Sequence, residues 1–181
     1  MDAGTFDRLK RVRERHSTEF GKVCQILLAI SFCRLGFKRV VERSVQGVDI
    51  DVSDHSTFPN FSIEVKTTLS DTVQIGQKDI KGLEIKAKDG YEAAFAVLRL
   101  GLFSDWLIAK AKGIPYGDIM IGRLETRAIP NLQNEINQEF PHVVTDYAGE
   151  ILKKRTNEVQ AYLQRCLANE KHKAVQKADG A

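Results

Sequence analysis

The chain has few of the devices by which proteins build disulfide frameworks, thiolate metal sites or membrane anchors. Among 181 residues there are three cysteines, Cys24, Cys33 and Cys166, an odd number with no CxxC spacing. That count excludes a disulfide framework and a paired-thiolate zinc module. Each Cys sits in an apolar pattern, where a free thiol behaves as a small hydrophobe, and a reducing, cytoplasmic setting fits such usage. The four histidines, His16, His55, His142 and His172, share no ligand spacing, and no Ser-His-Asp order stands out. No apolar run is long enough to span a bilayer, and the N-terminus lacks an apolar signal segment, so no membrane role is expected. The net charge is only +3, too little to argue by itself for a polyanionic partner. Internal repeats, low-complexity tracts and linkers are absent as well.

What is present suits one soluble core. Arg8, Lys10, Arg11, Arg13 and Arg15 cluster near the start, and Lys153, Lys154 and Arg155 interrupt the C-terminal segment. Such runs can touch phosphates, but a solvated helix face is the commoner explanation. The informative stretch is 47–66. Read as strands, it places Asp49, Asp51 and Ser53 on one face with Val48, Ile50 and Val52 on the other. Ser62, Glu64 and Lys66 likewise share a face opposite Phe61, Ile63 and Val65. Neighbouring strands would bring Asp49, Glu64 and Lys66 together. Two carboxylates and an ammonium are what a Mg²⁺-dependent phosphodiester cleavage site needs, since hard oxygen ligands hold the ion that offsets developing charge. Taken alone, a Glu-x-Lys pair on a half-exposed strand is more often a solvated ion pair worth little.

Along the chain, Ser17 or Thr18 offers an N-cap to a helix running to about Leu35, with Gly36 as its stop. Phe37–Ser44 reads as a strand, Gln46-Gly47 as its turn, and residues 54–60 as a loop into the strand Phe61–Thr68. Ser70–Gln77 is polar. Gln77–Lys88 has helical spacing through Ile80, Leu83, Ile85 and Ala87, closed by Asp89-Gly90. Ala93–Leu100 is apolar enough for a central strand buried on both faces, and Trp106–Ala111 is its candidate neighbour. Pro115 opens a short helix through Met120. Leu132–Phe140 is amphipathic, Pro141 breaks it, and a long helix follows over Thr145–Lys171. The expectation is an α/β fold, a mixed central sheet flanked by helices. Its parts are a basic arm (1–16), a core (17–124), a helical extension of the same domain (125–172) and a disordered tail (173–181).

The motifs Leu35-Gly36-Phe37, Gly47-Val48-Asp49-Ile50 and Ile63-Glu64-Val65-Lys66-Thr67 resemble those of the PD-(D/E)XK nuclease superfamily, and most nearly archaeal Holliday-junction resolvases and small restriction or repair nucleases. The resemblance covers about residues 20–120. It implies a restriction-endonuclease-like fold with an αβββαβ core, and a metal-dependent endodeoxyribonuclease acting on DNA as a homodimer. It implies Asp49, Glu64 and the Val65 carbonyl as ligands of Mg²⁺, for which Mn²⁺ may substitute, with Lys66 as the catalytic lysine and no organic cofactor. Many relatives carry a Glu in the first helix where this chain has Gln25. Either Gln25 contacts metal-bound water, or Glu19 substitutes, or the site runs on three groups. Asp51 competes with Asp49, though the Gly-x-Asp-Ile phrasing favours Asp49. Gln77 matches a polar residue that relatives sometimes aim at the site, and His55 is placed for phosphate contact; a plain helix start and a plain loop residue are the simpler accounts. The alternative activity is a non-catalytic DNA-binding or scaffold protein with a vestigial site.

Overall fold

The structure, a computed structural model, describes residues 1–43, 48–100 and 105–179, with side chains to residue 176. The expected turn at Gln46-Gly47 and the end of the first strand at Ser44 lie outside the described residues. The elements are α1 (Ala3–Arg15), α2 (Phe20–Arg34), β1 (Arg39–Glu42), β2 (Ile50–Ser53), β3 (Phe61–Thr68), β4 (Thr72–Ile75), α3 (Gln77–Lys88), β5 (Glu92–Arg99), β6 (Trp106–Lys110), β7 (Gly117–Met120), α4 (Ile121–Glu125), α5 (Pro130–Lys153) and α6 (Thr156–Asp179). Five strands form one sheet in the order β1-β2-β3-β5-β6. Only β3 and β5 run parallel; the other pairs are antiparallel. This is the mixed α/β sheet expected.

Period-2 alternation decides which face each strand gives to which layer. Phe61, Ile63 and Val65 of β3 and Ala94, Ala96 and Leu98 of β5 join a core with α1, α2, α5 and α6. Phe95 and Val97 of β5 join a second core with Leu83 of α3 and with Val73, Ile119 and Ile121. A strand apolar on both faces is what a sheet covered by helices on both sides requires. Helix α2, with a near-continuous apolar sequence, is buried almost all round and carries the first layer. It ends as expected: Gly36 has φ +97°, Gly36 N–H donates to the Cys33 carbonyl (3.1 Å) and Phe37 N–H to the Phe32 carbonyl (3.2 Å), a Schellman closure.

Several local expectations give way to tertiary packing. Neither Ser17 nor Thr18 caps α2; the helix starts from Glu19, which makes no side-chain cap bond. The preceding turn is fixed instead by buried His16, whose Nε2 lies 3.0 Å from the Ile151 carbonyl and Nδ1 3.1 Å from Thr156 Oγ1. The basic N-terminal segment is a helix that buries Leu9 and Val12 while Lys10, Arg11, Arg13 and Arg15 stay exposed. Residues 117–120 are a strand rather than a helix. Gly117 takes φ +117°, and β7 pairs antiparallel with β4, so that Val73 and Ile119 face each other in the second core. Pro141 does not end a helix: α5 runs through it, because the buried stripe Leu132, Ile136, Phe140, Val143, Val144, Ala148 continues past it. The break falls at Lys154, whose backbone is extended. The segment from residue 173 continues α6 to Asp179, supported at its start by a Lys173–Glu170 pair (2.8 Å). Val48, expected to share a face with Ile50 and Val52, packs instead against Gly82 and Leu83 of α3, because the chain bends at Asp49 before β2 begins. Among the described residues no helix is long and apolar enough to cross a membrane.

Candidate active site

The bend at Asp49 opens the sheet. The β2–β3 ladder closes with the pair Ile50↔Ile63; one step further the main chains no longer pair. In place of a backbone acceptor, the Val65 N–H donates to Asp49 Oδ2 at 2.8 Å. A strand residue sends its N–H and C=O to the same side, so the Val65 carbonyl leaves β3 toward the same opening. Glu64 and Lys66 rise from the α3 face of β3, two residues apart. Lys66 Nζ donates to Glu64 Oε1 (2.8 Å) and pairs with Asp79 Oδ2 (2.6 Å). Asp79 is the third residue of α3, and the same oxygen accepts the Gly76 N–H at 2.9 Å, so the helix start fixes the carboxylate that fixes the lysine.

Electrostatically the site lacks positive charge. Glu64 and Asp79 both pair with the Lys66 ammonium, while Asp49 feels the Lys66 and Lys22 charges only at longer range. Burial and then the neighbouring Asp49 charge push Glu64 up to about 7, against partial relief from Lys66. Burial likewise raises Asp49, opposed by the Val65 amide and Lys66. Burial works against the charge on Lys66, but its bonds to Asp79 and Glu64 outweigh it and hold the lysine above its ordinary value. Asp79 is lowered: burial opposes its charge, and the Lys66 bond and the Gly76 amide more than compensate. Asp49 and Glu64 with the Val65 carbonyl offer hard oxygens and excess negative charge, the donor set that suits Mg²⁺ or Mn²⁺. Among the described residues no three His, Cys, Asp or Glu side chains converge as a metal cluster, so an ion here would draw on that carbonyl and on water.

The remaining nominated residues fall elsewhere. Asp51 is buried and neutralised: Oδ2 pairs with Arg43 and Lys86, both at 2.7 Å, and Oδ1 accepts the Ser62 hydroxyl at 2.5 Å. Gln25 Nε2 lies 2.8 Å from Glu42 Oε1, 3.0 Å from the Arg43 carbonyl and 3.2 Å from the Asp49 carbonyl. It therefore reaches Asp49 through the backbone rather than through the carboxylate. Glu19 sits at the start of α2 and its carbonyl begins that helix. Gln77 is exposed and lines a cleft with Lys66. His55 is a structural clamp. Its Nδ1 accepts the Thr57 and Phe58 amides (both 3.0 Å), so Nε2 carries the proton toward the Leu35 carbonyl (3.0 Å). Trp106 is core, as expected. A larger groove, about 590 Å³, lies on the other flank of α3 between Leu83 and Ile114 and includes none of the motif residues.

Two contributors escaped the sequence reading. Asp79 had a signal, an acid three residues after a glycine at a helix start. Glu42 had none. Its buried carboxylate takes Lys22 and Gln25 from α2 and Gln164 from α6 (2.5 Å), a meeting that only the folded chain creates.

The order α2-β1-β2-β3-α3-β5, with the small β4 inserted, follows the αβββαβ core expected from the sequence. Among solved structures, the chain is similar to the Holliday junction resolvase Hjc of Archaeoglobus fulgidus, at 17% identity over 55% of this chain and 88% of that one, with a TM-score of 0.43. No family model matches the chain. No curated protein sequence matches it either.

Proposed function

We propose that the chain is a Mg²⁺-dependent endodeoxyribonuclease that hydrolyses phosphodiester bonds at Asp49, Glu64 and Lys66. The observation that carries this reading is the charge deficit: two carboxylates held above their ordinary pKa values at an open strand edge, with one lysine bridging to a third. Asp49, Glu64 and the Val65 carbonyl would hold the ion, which when bound supplies Lewis-acid stabilisation of the phosphate and a more acidic water. Lys66 supplies a fixed ammonium beside them. Held by Glu64 and Asp79, it orients the attacking water and offsets negative charge as the phosphate reacts. Asp79 is a positioning residue for that lysine. Cutting both strands requires two such sites, so we further propose a homodimer, with α6 as candidate interface.

The test is cleavage of plasmid, single-stranded and four-way-junction DNA with Mn²⁺, alongside calorimetric Mn²⁺ titration. Lys66→Ala is expected to keep metal binding and lose cleavage by about 100-fold or more. Asp49→Ala is expected to lose both. Intact cleavage by Lys66→Ala sinks the mechanism. The competing reading, a DNA-binding scaffold with a vestigial site, is favoured by one observation: Gln25 stands where relatives carry an acid, and its amide is engaged on main-chain carbonyls. A wild-type chain that binds DNA but shows no Asp49-dependent Mn²⁺ binding establishes it.

A further inference from the structure

The opening that Lys66 faces continues beyond the carboxylates as a cleft of about 420 Å³, lined among others by Gln74, Gln77 and Asp79, by Tyr116 just ahead of β7 and by Gly117, the first residue of β7. That volume is in the range of small-ligand clefts, roughly 300–1,000 Å³. Lys66, Gln74, Gln77 and Asp79 give it amides and charges, and Tyr116 is its one large aromatic. Tyr116 is 64% exposed, yet its backbone is tightly held. Ile114 is buried just before it, Pro115 restricts the chain, and Gly117 follows with φ +117° and pairs with Ile75. Ile75 adjoins Gly76, which starts α3 and donates to Asp79. The ring thus stands on a stiff turn, anchored to the same helix start that positions Lys66. An exposed aromatic on a stiff support loses little entropy when something stacks on it.

A nucleotide matches this lining in kind: a flat face for Tyr116, base edges for the glutamine amides, and a phosphate for Lys66. A paired base in a duplex has its faces covered by its neighbours, whereas an unpaired base presents one. We propose that Tyr116 stacks an unpaired base next to the phosphate at Lys66, so that the preferred substrate carries a single-stranded nucleotide at the point of cleavage. This rests on the nuclease reading above and adds a specificity-determining residue to it.

The experiment is anisotropy binding in EDTA of labelled single-stranded, forked and blunt duplex DNA to the full chain and to Tyr116→Ala and Tyr116→Phe. Tyr116→Ala should weaken single-stranded and forked DNA by about 5- to 100-fold, the usual effect of losing one stacked base, with blunt duplex unchanged. Tyr116→Phe should bind as wild type. Oligonucleotides with 2-aminopurine at successive positions should show quenching at one position in wild type and Tyr116→Phe, and none in Tyr116→Ala. Unchanged affinity in Tyr116→Ala, an equal loss for blunt duplex, or failure of Phe to substitute overturns the inference and leaves the nuclease reading standing. Wild type that binds no DNA of any form, in EDTA or with Ca²⁺ in its place, overturns both.

Discussion

Glu64→Gln should make the metal-free protein more stable at pH 8 while abolishing its proposed chemistry. Glu64 titrates near 7 in the folded chain against an ordinary 4.5, because it is buried and faces Asp49. Between those values the folded state holds a proton that the unfolded chain has already released. Stability therefore falls as pH rises from about 4.5 to about 7, and levels off above. At about 1.4 kcal/mol per tenfold change, forcing Glu64 to ionise costs the fold about 3 kcal/mol. Asp49 is shifted in the same direction and adds to the trend. Glutamine keeps the shape and an acceptor for Lys66, which retains its Asp79 partner. The Lys66 bond to the carboxylate is already inside the Glu64 shift; what stands against the gain is burying the glutamine's extra N–H donors, about 1–2 kcal/mol. The net gain at pH 8 is then about 1–2 kcal/mol. For a chain of this size that is roughly 2–8 °C in melting temperature. The assay is thermal unfolding in EDTA at pH 5 and pH 8, repeated with Mn²⁺. The gap should vanish or reverse at pH 5, where Glu64 is protonated in wild type. Mn²⁺ at about a hundred times its Kd should stabilise wild type by about 2.7 kcal/mol and leave the variant behind. A variant that melts below wild type at pH 8 in EDTA refutes the reasoning, as does a gap equal at both pH values.

Because an ion must displace the proton on Glu64, Mn²⁺ affinity should fall about tenfold per pH unit below about 7 and flatten above it; calorimetric titration from pH 5.5 to 8 checks this, and a flat profile removes Glu64 from the ligand set. Pro141→Ala should stabilise the chain by about 1–3 kcal/mol, since α5 is continuous through residue 141 and alanine restores the missing amide; a higher urea midpoint at unchanged slope is the expected reading.

The fold was legible where the deciding interactions are near in sequence or where burial imposes a strict period. Helix α3 starts and stops at the residues its spacing and Gly90 indicate, and β5 is read from apolar residues on both its faces. The placement of the candidate residues was legible for the same reason: Asp49, Glu64 and Lys66 lie on one stretch, and alternation assigns the face of the last two. What stayed hidden depends on distant partners. Strands β4 and β7 are four residues each and half-exposed, so neither announces itself without the other. Glu42 looks like an edge-strand acid until Gln164, 122 residues away, covers it. Pro141 obeys a local rule that the buried stripe from Leu132 to Ile151 overrides.

The most instructive failure is at Val48. Unbroken alternation would put it beside Ile50 and Val52, and would extend the β2–β3 ladder so that main chain faced main chain at Glu64 and Val65. The Val65 amide would then be taken by a backbone carbonyl, and Asp49 would be one more polar residue on a strand face. Because the chain bends at Asp49, Val48 turns to α3, the ladder stops at Ile50, and the carboxylate takes the vacated amide. The bend is held from behind by Gln25, on the carbonyls of residues 43 and 49, and by Arg43 N–H, which donates to the Asp49 carbonyl at 2.9 Å. Departure from the regular pattern is thus what brings the Asp49 carboxylate to the Val65 amide, and on the proposed reading it is what would make the chemistry possible. Gln25 thereby shapes the edge on which Asp49 sits, through main-chain carbonyls rather than through the carboxylate.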